Sequence, residues 1–389
     1  MIGNTFARRG KAKRWASSRV VAAGALALFA GSISHGDAGQ AAPARPILPP
    51  PAAAIIVPPA VAAAQRGLEA RIDGLGQSFN GDVGIAVKDL QTGWTTHYDG
   101  DALFPQQSVS KFWVTLTALE KADRGDLNLY APVTLRRTDL TLFNQPIAQQ
   151  IKDGGYTTTL ADLIARAMQQ SDNTANDFTL RKAGGPEAVR EFFRRKRITG
   201  IRFGPGERLM QSATAGLEWR PAYSTGNAFY AARNAVPMAT RRAALERYLA
   251  DPVDGATPLA IVDALGKLKD GELLSPVATQ RLLALMSNTK TGPRRLKGGL
   301  APGWSLAHKT GTGQVLGAVS TGYNDIGIVT APDGRSYSVA VMIRRTTAPI
   351  PQRMQLMQNT VRAVIAYVGA MGNDRFASGR TSAVSAGSR

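Results

Sequence analysis

Hydrophobic positions along the chain change their period twice. Leu68, Ile72 and Leu75 recur at helical spacing and predict a helix over residues 61–79 with one buried stripe. Two short β-like runs follow, 83–87 and 94–98, around the turn-forming Gln91-Thr92-Gly93, and read as strands. For nearly 180 residues thereafter the pattern is helical, with segments at 111–122, 160–170, 186–195, 258–265 and 276–286. Period-2 runs then return at 305–308, 317–321, 325–330 and 338–344, with Asp333-Gly334 turning the last hairpin, and a helix over 353–368 closes the pattern. Strands at both ends with helices between predict an α+β fold. One antiparallel sheet is built from both chain ends, with the terminal helices on one face and a large helical insertion.

The ends carry no such pattern. Arg8, Arg9, Lys11, Lys13, Arg14 and Arg19 precede an apolar run over 20–30 and small residues to 38, the order of a secretory signal. That run is shorter than the ~20 residues of a membrane span. The expectation is therefore export to the periplasm or medium with no membrane span after cleavage, and Arg8-Arg9 leaves Sec and twin-arginine routes both open. Residues 39–60, with Pro49-Pro50-Pro51 and Pro58-Pro59, read as an extended tether, and 369–389 as a disordered tail. One catalytic domain over 61–368 is left between them, expected to act as a monomer.

Composition narrows the chemistry. With no cysteine there is neither disulfide nor thiolate nucleophile, and three scattered histidines make a metal centre an unpromising expectation; no cofactor is implied. Net charge is +19, but Lys and Arg are dispersed apart from Arg194-Arg195-Lys196-Arg197 and Arg294-Arg295. Without interleaved aromatics these read as solvated faces, not a nucleic-acid groove.

Three motifs carry candidate chemistry. In Ser108-Val109-Ser110-Lys111, Lys111 lies one helical turn beyond Ser108, within reach of its hydroxyl, at a helix start whose free N–H groups suit an oxyanion. A serine needs such a base to become nucleophilic. Ser287-Asn288-Thr289-Lys290 has the same spacing, so the motif gains weight only from company. His35, His97 and His308 are poorly placed for a Ser-His-Asp triad, which leaves a lysine or carboxylate to serve the serine. Ser171-Asp172-Asn173 reads either as a helix cap or as a proton-passing hydroxyl beside an amide that binds substrate. Lys309-Thr310-Gly311-Thr312-Gly313 enters the strand-rich end, where Lys and Thr on a strand edge can hold a carboxylate. Lys290-Thr291-Gly292 repeats the triplet, but Pro293 and the preceding helix mark it as a helix-ending loop.

Ser-x-x-Lys, Ser-Asp-Asn and Lys-Thr-Gly in this order resemble class A β-lactamases and the related penicillin-binding proteins over residues 61–368. Phe104-Pro105, Gly184-Gly185-Pro186, the 270–275 stretch and Gly322-Tyr323-Asn324-Asp325-Ile326 agree with it. The resemblance implies Ser108 as acylated nucleophile, Lys111 as its base or relay, and Ser171 as proton donor to the leaving nitrogen. It further implies Asn173, Lys309, Thr310 and Gly311 as substrate-binding, the N–H groups of Ser108 and Thr312 as oxyanion hole, and Phe143 as an aromatic pocket wall. Its substrate class is a β-lactam or a muropeptide.

Release of the acyl group needs an activated water, and Glu207-Arg208-Leu209-Met210-Gln211 is similar to the family's Glu-x-x-Leu-Asn. Met210 and Gln211 depart from it, Glu218 is a rival, and residues 212–255 form a connection much longer than the family's, with Trp219, Tyr223, Phe229 and Tyr230. The family's loop-closing Arg and Asp pair is not evident. Nor is a secure counterpart of the arginine that supplements Lys309, with Arg344 and Arg345 nearest in sequence. The implied activity is β-lactam hydrolysis through an acyl-enzyme; the alternatives are a D-alanyl-D-alanine peptidase or transpeptidase and a non-catalytic β-lactam or muropeptide receptor.

Overall fold

The structure is a computed structural model that describes the backbone of residues 57–381 and the side chains of residues 57–372. The signal expected at 1–38 and most of the tether lie outside the described residues, as does much of the tail.

Pro59, which lacks the N–H that a first helical turn leaves unpaired anyway, starts α1 (Pro59–Ser78), so the tether ends before residue 60. The α1 helix buries Ala64, Leu68, Ile72 and Gly76, with Leu75 only partly covered. At Gly76 a Cβ would lie 2.1 Å from the Tyr98 ring, which is why the stripe continues on glycine. The chain then forms β1 (Gly81–Asp89) and β2 (Thr95–Tyr98), a two-residue β3 (Phe104–Pro105), and α2 (Lys111–Asp123).

A helical half follows: β4 (Pro132–Leu135) paired with β5 (Tyr156–Thr159), then α3 (Leu160–Gln169), α4 (Asn173–Lys182) and α5 (Gly185–Arg195). Next come α6 (Glu207–Thr214), α7 (Ala228–Ala235) and α8 (Met238–Ala250), β6 (Gly255–Ala256) against β3, α9 (Pro258–Lys269) and α10 (Pro276–Ser287). The last segments are β7 (Ser305–Gly311), β8 (Val315–Leu316), β9 (Val319–Thr330), β10 (Ser336–Thr346) and α11 (Ile350–Thr381), whose helix runs past the predicted end at 368.

The main sheet has the order β2-β1-β10-β9-β7, entirely antiparallel, with β8 on β9. Side-chain alternation splits the core into two layers. Val83, Ile85 and Val87 join Val339, Val341 and Ile343 under α1 and α11, whereas Ala86, Ala340, Met342, Ile326 and Ile328 face the helical half. Both faces are covered, so these strands read as near-continuous apolar runs. α2 crosses the helical half buried on all sides, Trp113 edge-on to Phe112 and Phe193.

One strand assignment requires correction. The runs 317–321 and 325–330 are not two strands, because β9 is continuous through Gly322-Tyr323-Asn324-Asp325. Polar residues survive inside it by bonding fully. Asn324 donates to the Pro105 carbonyl (2.7 Å) and accepts from the Ile343 N–H (3.1 Å). Asp325 meets His308 Nδ1 (2.9 Å) and accepts from the Leu296 N–H (3.1 Å). Period counting cannot see such partners. Among the described residues no helix is long and apolar enough to cross a membrane.

Candidate active site

Three walls meet at the start of α2. Ser108 sits in a short 3-10 turn, Gln107–Ser110, that feeds α2, and the preceding Gln107 has φ +53, left-handed for a residue with a Cβ. The loop is held there from outside: the Gln107 N–H donates to Asp254 Oδ2 at 2.7 Å, and the Asn324 amide reaches the carbonyls of Pro105 and Gln106. Lys111, one turn on and fully buried, donates from Nζ to Ser108 Oγ at 2.7 Å and pairs with the Glu207 carboxylate. Burying two opposite charges is favourable only when they satisfy one another, and these do.

The second wall comes from the Ser-Asp-Asn stretch, where both readings hold at once. Asp172 caps α4, accepting from the Ala175 N–H at 2.9 Å, and burial raises its pKa. Ser171, at φ +59, is left to turn toward the cavity, where Lys309 Nζ donates to its Oγ at 3.0 Å. Asn173 donates to the Leu142 carbonyl (2.8 Å), and its buried Oδ1 has no partner among the described residues. Phe143 lies across the opening, half-buried, edge-on to Phe229 at 5.1 Å.

The third wall is the edge strand β7. Lys309 is fully buried; its ammonium is held well below its ordinary pKa by burial first, and then by the positive charge of Lys111. At Gly311 a Cβ would stand 2.3 Å from the Gln106 carbonyl, so only glycine lets β7 lie against the serine loop. Thr310 Oγ1 is 2.7 Å from Thr291 Oγ1. Of the second Lys-Thr-Gly copy, Thr310 lines the cavity, with Lys309 behind it on Ser171, and the loop copy meets it through Thr291.

Arg294-Arg295 was expected to form a solvated face; Arg295 is instead buried. Its guanidinium donates to the Gly311 carbonyl (2.9 Å), the Asn324 carbonyl (2.6 Å) and Thr312 Oγ1 (2.6 Å), and lies 3.8 Å from the centre of the Tyr323 ring. Arg344 and Arg345, the sequence neighbours considered for a supplementary cation, turn away to the Leu103 carbonyl and to Glu246. The signal for Arg295 was its position three residues beyond Gly292, legible only once the 290–292 loop is known to pack on β7.

Glu207 begins α6 after Gly206, whose φ of +102 turns the chain inward. Its N–H and that of Arg208 donate to Asp177 at 3.0 and 3.4 Å, and burial, followed by the Glu207 charge, raises the Asp177 pKa. Glu218 is exposed, away from the cavity lining. Gln211, one turn after Glu207, donates to Glu207 Oε2 (3.3 Å) and Gln107 Oε1 (2.8 Å). Gln107 Nε2 donates in turn to Tyr248 Oη, which donates to Asp254 Oδ1 at 2.9 Å. Two residues near the end of the long 212–255 connection, Tyr248 on α8 and Asp254, therefore brace the serine loop. Desolvation pushes the Asp254 carboxyl up to about 6.

The walls enclose one cavity of about 450 Å³ lined by Ser108, Ser171, Asn173, Glu207, Thr310 and Thr312 among others. It holds a serine hydroxyl with an adjacent amine, a carboxylate on the same amine, a second hydroxyl on a second amine, and polar groups suited to an anion.

Comparison with known proteins agrees with this geometry. The model of the β-lactamase enzyme family matches residues 67–370. The β-lactamase VEB-1 of Pseudomonas aeruginosa is 25% identical over 277 residues, 71% of this chain and 82% of its own length. A β-lactamase of Bacteroides uniformis is 29% identical over 279 residues, with the same shares. Among solved structures, a β-lactamase from Chitinophaga pinensis superposes with TM-score 0.63 at 25% identity, over 76% of this chain and 97% of that one. The TLA-1 extended-spectrum β-lactamase, at 23% identity and TM-score 0.65 over 78% and 99%, shares the fold.

Proposed function

Because this chain belongs to the β-lactamase enzyme family, we propose that it hydrolyses the β-lactam amide through an ester on Ser108. The observation that carries the reading is the unbroken buried array Ser108 Oγ, Lys111 Nζ, Glu207 carboxylate, opening on a single cavity.

In acylation Ser108 Oγ attacks the lactam carbonyl carbon and its proton passes to the Lys111–Glu207 pair. The oxyanion is held by the N–H groups of Ser108 and Thr312, where one such donor contributes about 3–4 kcal/mol to the transition state. As the C–N bond breaks, the Ser171 hydroxyl gives its proton to the leaving nitrogen and recovers one from Lys309, whose burial eases proton loss; the Lys111–Glu207 pair then passes the proton taken from Ser108 through solvent to Lys309, which leaves Lys309 charged and Glu207 again a carboxylate. Thr310, supported by Thr291 and next to Arg295, binds the substrate carboxylate together with Lys309, and the free Asn173 Oδ1 accepts from the side-chain amide. In deacylation Glu207, steadied by Gln211, takes a proton from water. The resulting hydroxide attacks the ester carbonyl, and Ser108 leaves with a proton returned by Lys111. The basic-then-apolar order of residues 1–38 supports export of the enzyme.

Intact-mass spectrometry during turnover of a chromogenic cephalosporin tests this. Sustained turnover with little adduct is expected, and Ser108→Ala abolishes both. A stoichiometric burst that leaves a stable adduct would instead favour the peptidase or receptor reading.

A further inference from the structure

The long connection contributes a charged group to the cavity that the proposed reaction does not use. Arg233, near the end of α7, lines the same cavity as Ser108, in an aromatic patch that begins at Phe143. Its guanidinium lies 5.2 Å from the centre of the Tyr230 ring and 6.0 Å from that of Phe229, and Phe229 packs edge-on to Phe143. Cation–π contacts of this kind restrain the fork without using its donors.

Those donors lack acceptors. Among the described residues Arg233 makes no ion pair, and its buried Nε has no hydrogen-bond partner. Burial, and then the like charge of its neighbour Arg241, lowers its pKa. On the remaining sides stand neutral groups, Tyr230 and Gln314; Gln314 donates from Nε2 to the Gln211 carbonyl at 2.8 Å, and among the described residues no hydrogen bond joins it to Arg233. The acid that lines the cavity, Glu207, is already paired with Lys111. A partly desolvated, pre-oriented guanidinium that no protein carboxylate neutralises is a ready site for an anion brought by the ligand.

We propose that Arg233 forms a second anion subsite, so that this enzyme favours β-lactams that carry a further carboxylate on the acyl side chain. The inference rests on the β-lactamase reading above. The nuclear carboxylate is served by Lys309, Thr310 and the Arg295 side of the cavity. Arg233 lies on a different element, with Phe143 and Tyr230, along the wall where Asn173 presents its free Oδ1 to the side-chain amide. A substrate with two negative charges meets a separate cation for each.

The test compares kcat/KM for two penicillins that differ only at the side chain, benzyl against α-carboxybenzyl, in wild type, Arg233→Gln and Arg233→Lys. Wild type is expected to prefer the dianion through a lower KM. The ratio should fall by about tenfold or more in Arg233→Gln, since a charge-assisted hydrogen bond is lost, with partial rescue in Arg233→Lys. In wild type alone the preference should weaken as salt rises from 0.05 to about 0.5 M, a readout that does not depend on either variant folding. Turnover of both penicillins with no preference in wild type, or with a ratio that Arg233→Gln leaves in place, overturns the subsite while the hydrolase reading stands. Turnover of neither overturns both.

Discussion

Tyr248→Phe removes one oxygen from a helix outside the reaction cavity, and its consequences can be worked out from the hydrogen bonds. The hydroxyl accepts from Gln107 Nε2 and donates to Asp254 Oδ1, all three groups being buried. Without it both partners are left short of a bond in a dry environment. At about 1–3 kcal/mol for each of the two, the loss is about 2–6 kcal/mol of stability. The effect depends on pH with a definite sign. Asp254 titrates at about 6 in the fold against 3.8 for the free group, so the native state holds its proton more tightly. That contribution is fully present below pH 3.8 and is lost as pH rises through about 6, a swing of about 3 kcal/mol for a shift of this size. The tyrosine hydroxyl lowers the Asp254 pKa; its removal drives the carboxyl higher still, and the variant therefore loses more stability at pH 8 than at pH 5. Thermal or urea unfolding of both proteins at the two pH values measures this. The same deletion frees Gln107, whose Oε1 holds Gln211 beside Glu207, so the acyl-enzyme should persist longer in stopped-flow or intact-mass traces. Equal loss at pH 5 and pH 8, or a loss below about 0.5 kcal/mol, would mean that water already reaches Asp254, and the bracing argument would fail.

Other variants probe the cavity itself. Glu207→Gln should leave the burst of acylation and slow hydrolysis of the ester by about 10²–10⁴-fold, so that adduct accumulates in the mass spectrum; full turnover would assign water activation elsewhere. Gly311→Ala places a methyl 2.3 Å from the Gln106 carbonyl, so β7 must move off the serine loop. We expect about 1–3 kcal/mol lost in melting and a fall in kcat/KM of at least tenfold; activity matching wild type would show that the close approach is not needed.

How much of this was legible depended on sequence distance. The sheet residues 83–87 and 338–344 announced themselves because a short β-branched, apolar run is a local property of a strand, and Ser108 with Lys111 because one helical turn suffices to bring them together. Ser171, Asn173 and Thr310, singled out by the order of their motifs, line the cavity that Ser108 opens on, and Lys309 stands behind them, bonded to Ser171. The continuous β9 was hidden because Asn324 and Asp325 look like turn residues until their partners on β10, β7 and the 294–296 turn are known.

The chain by itself determined the α+β layering, the pairing of Ser108 with the Lys111 amine, and the family, since each follows from residue types in ordered, closely spaced motifs. The tertiary structure alone decided that Arg295, not Arg344 or Arg345, stands behind Thr312, that Asp254 and Tyr248 brace the serine loop, and that Arg233 faces the cavity unpaired. The reason is physical: whether a charged side chain is solvated or buried, paired or free, is set by groups brought to it from distant parts of the chain. Periodicity carries no record of them.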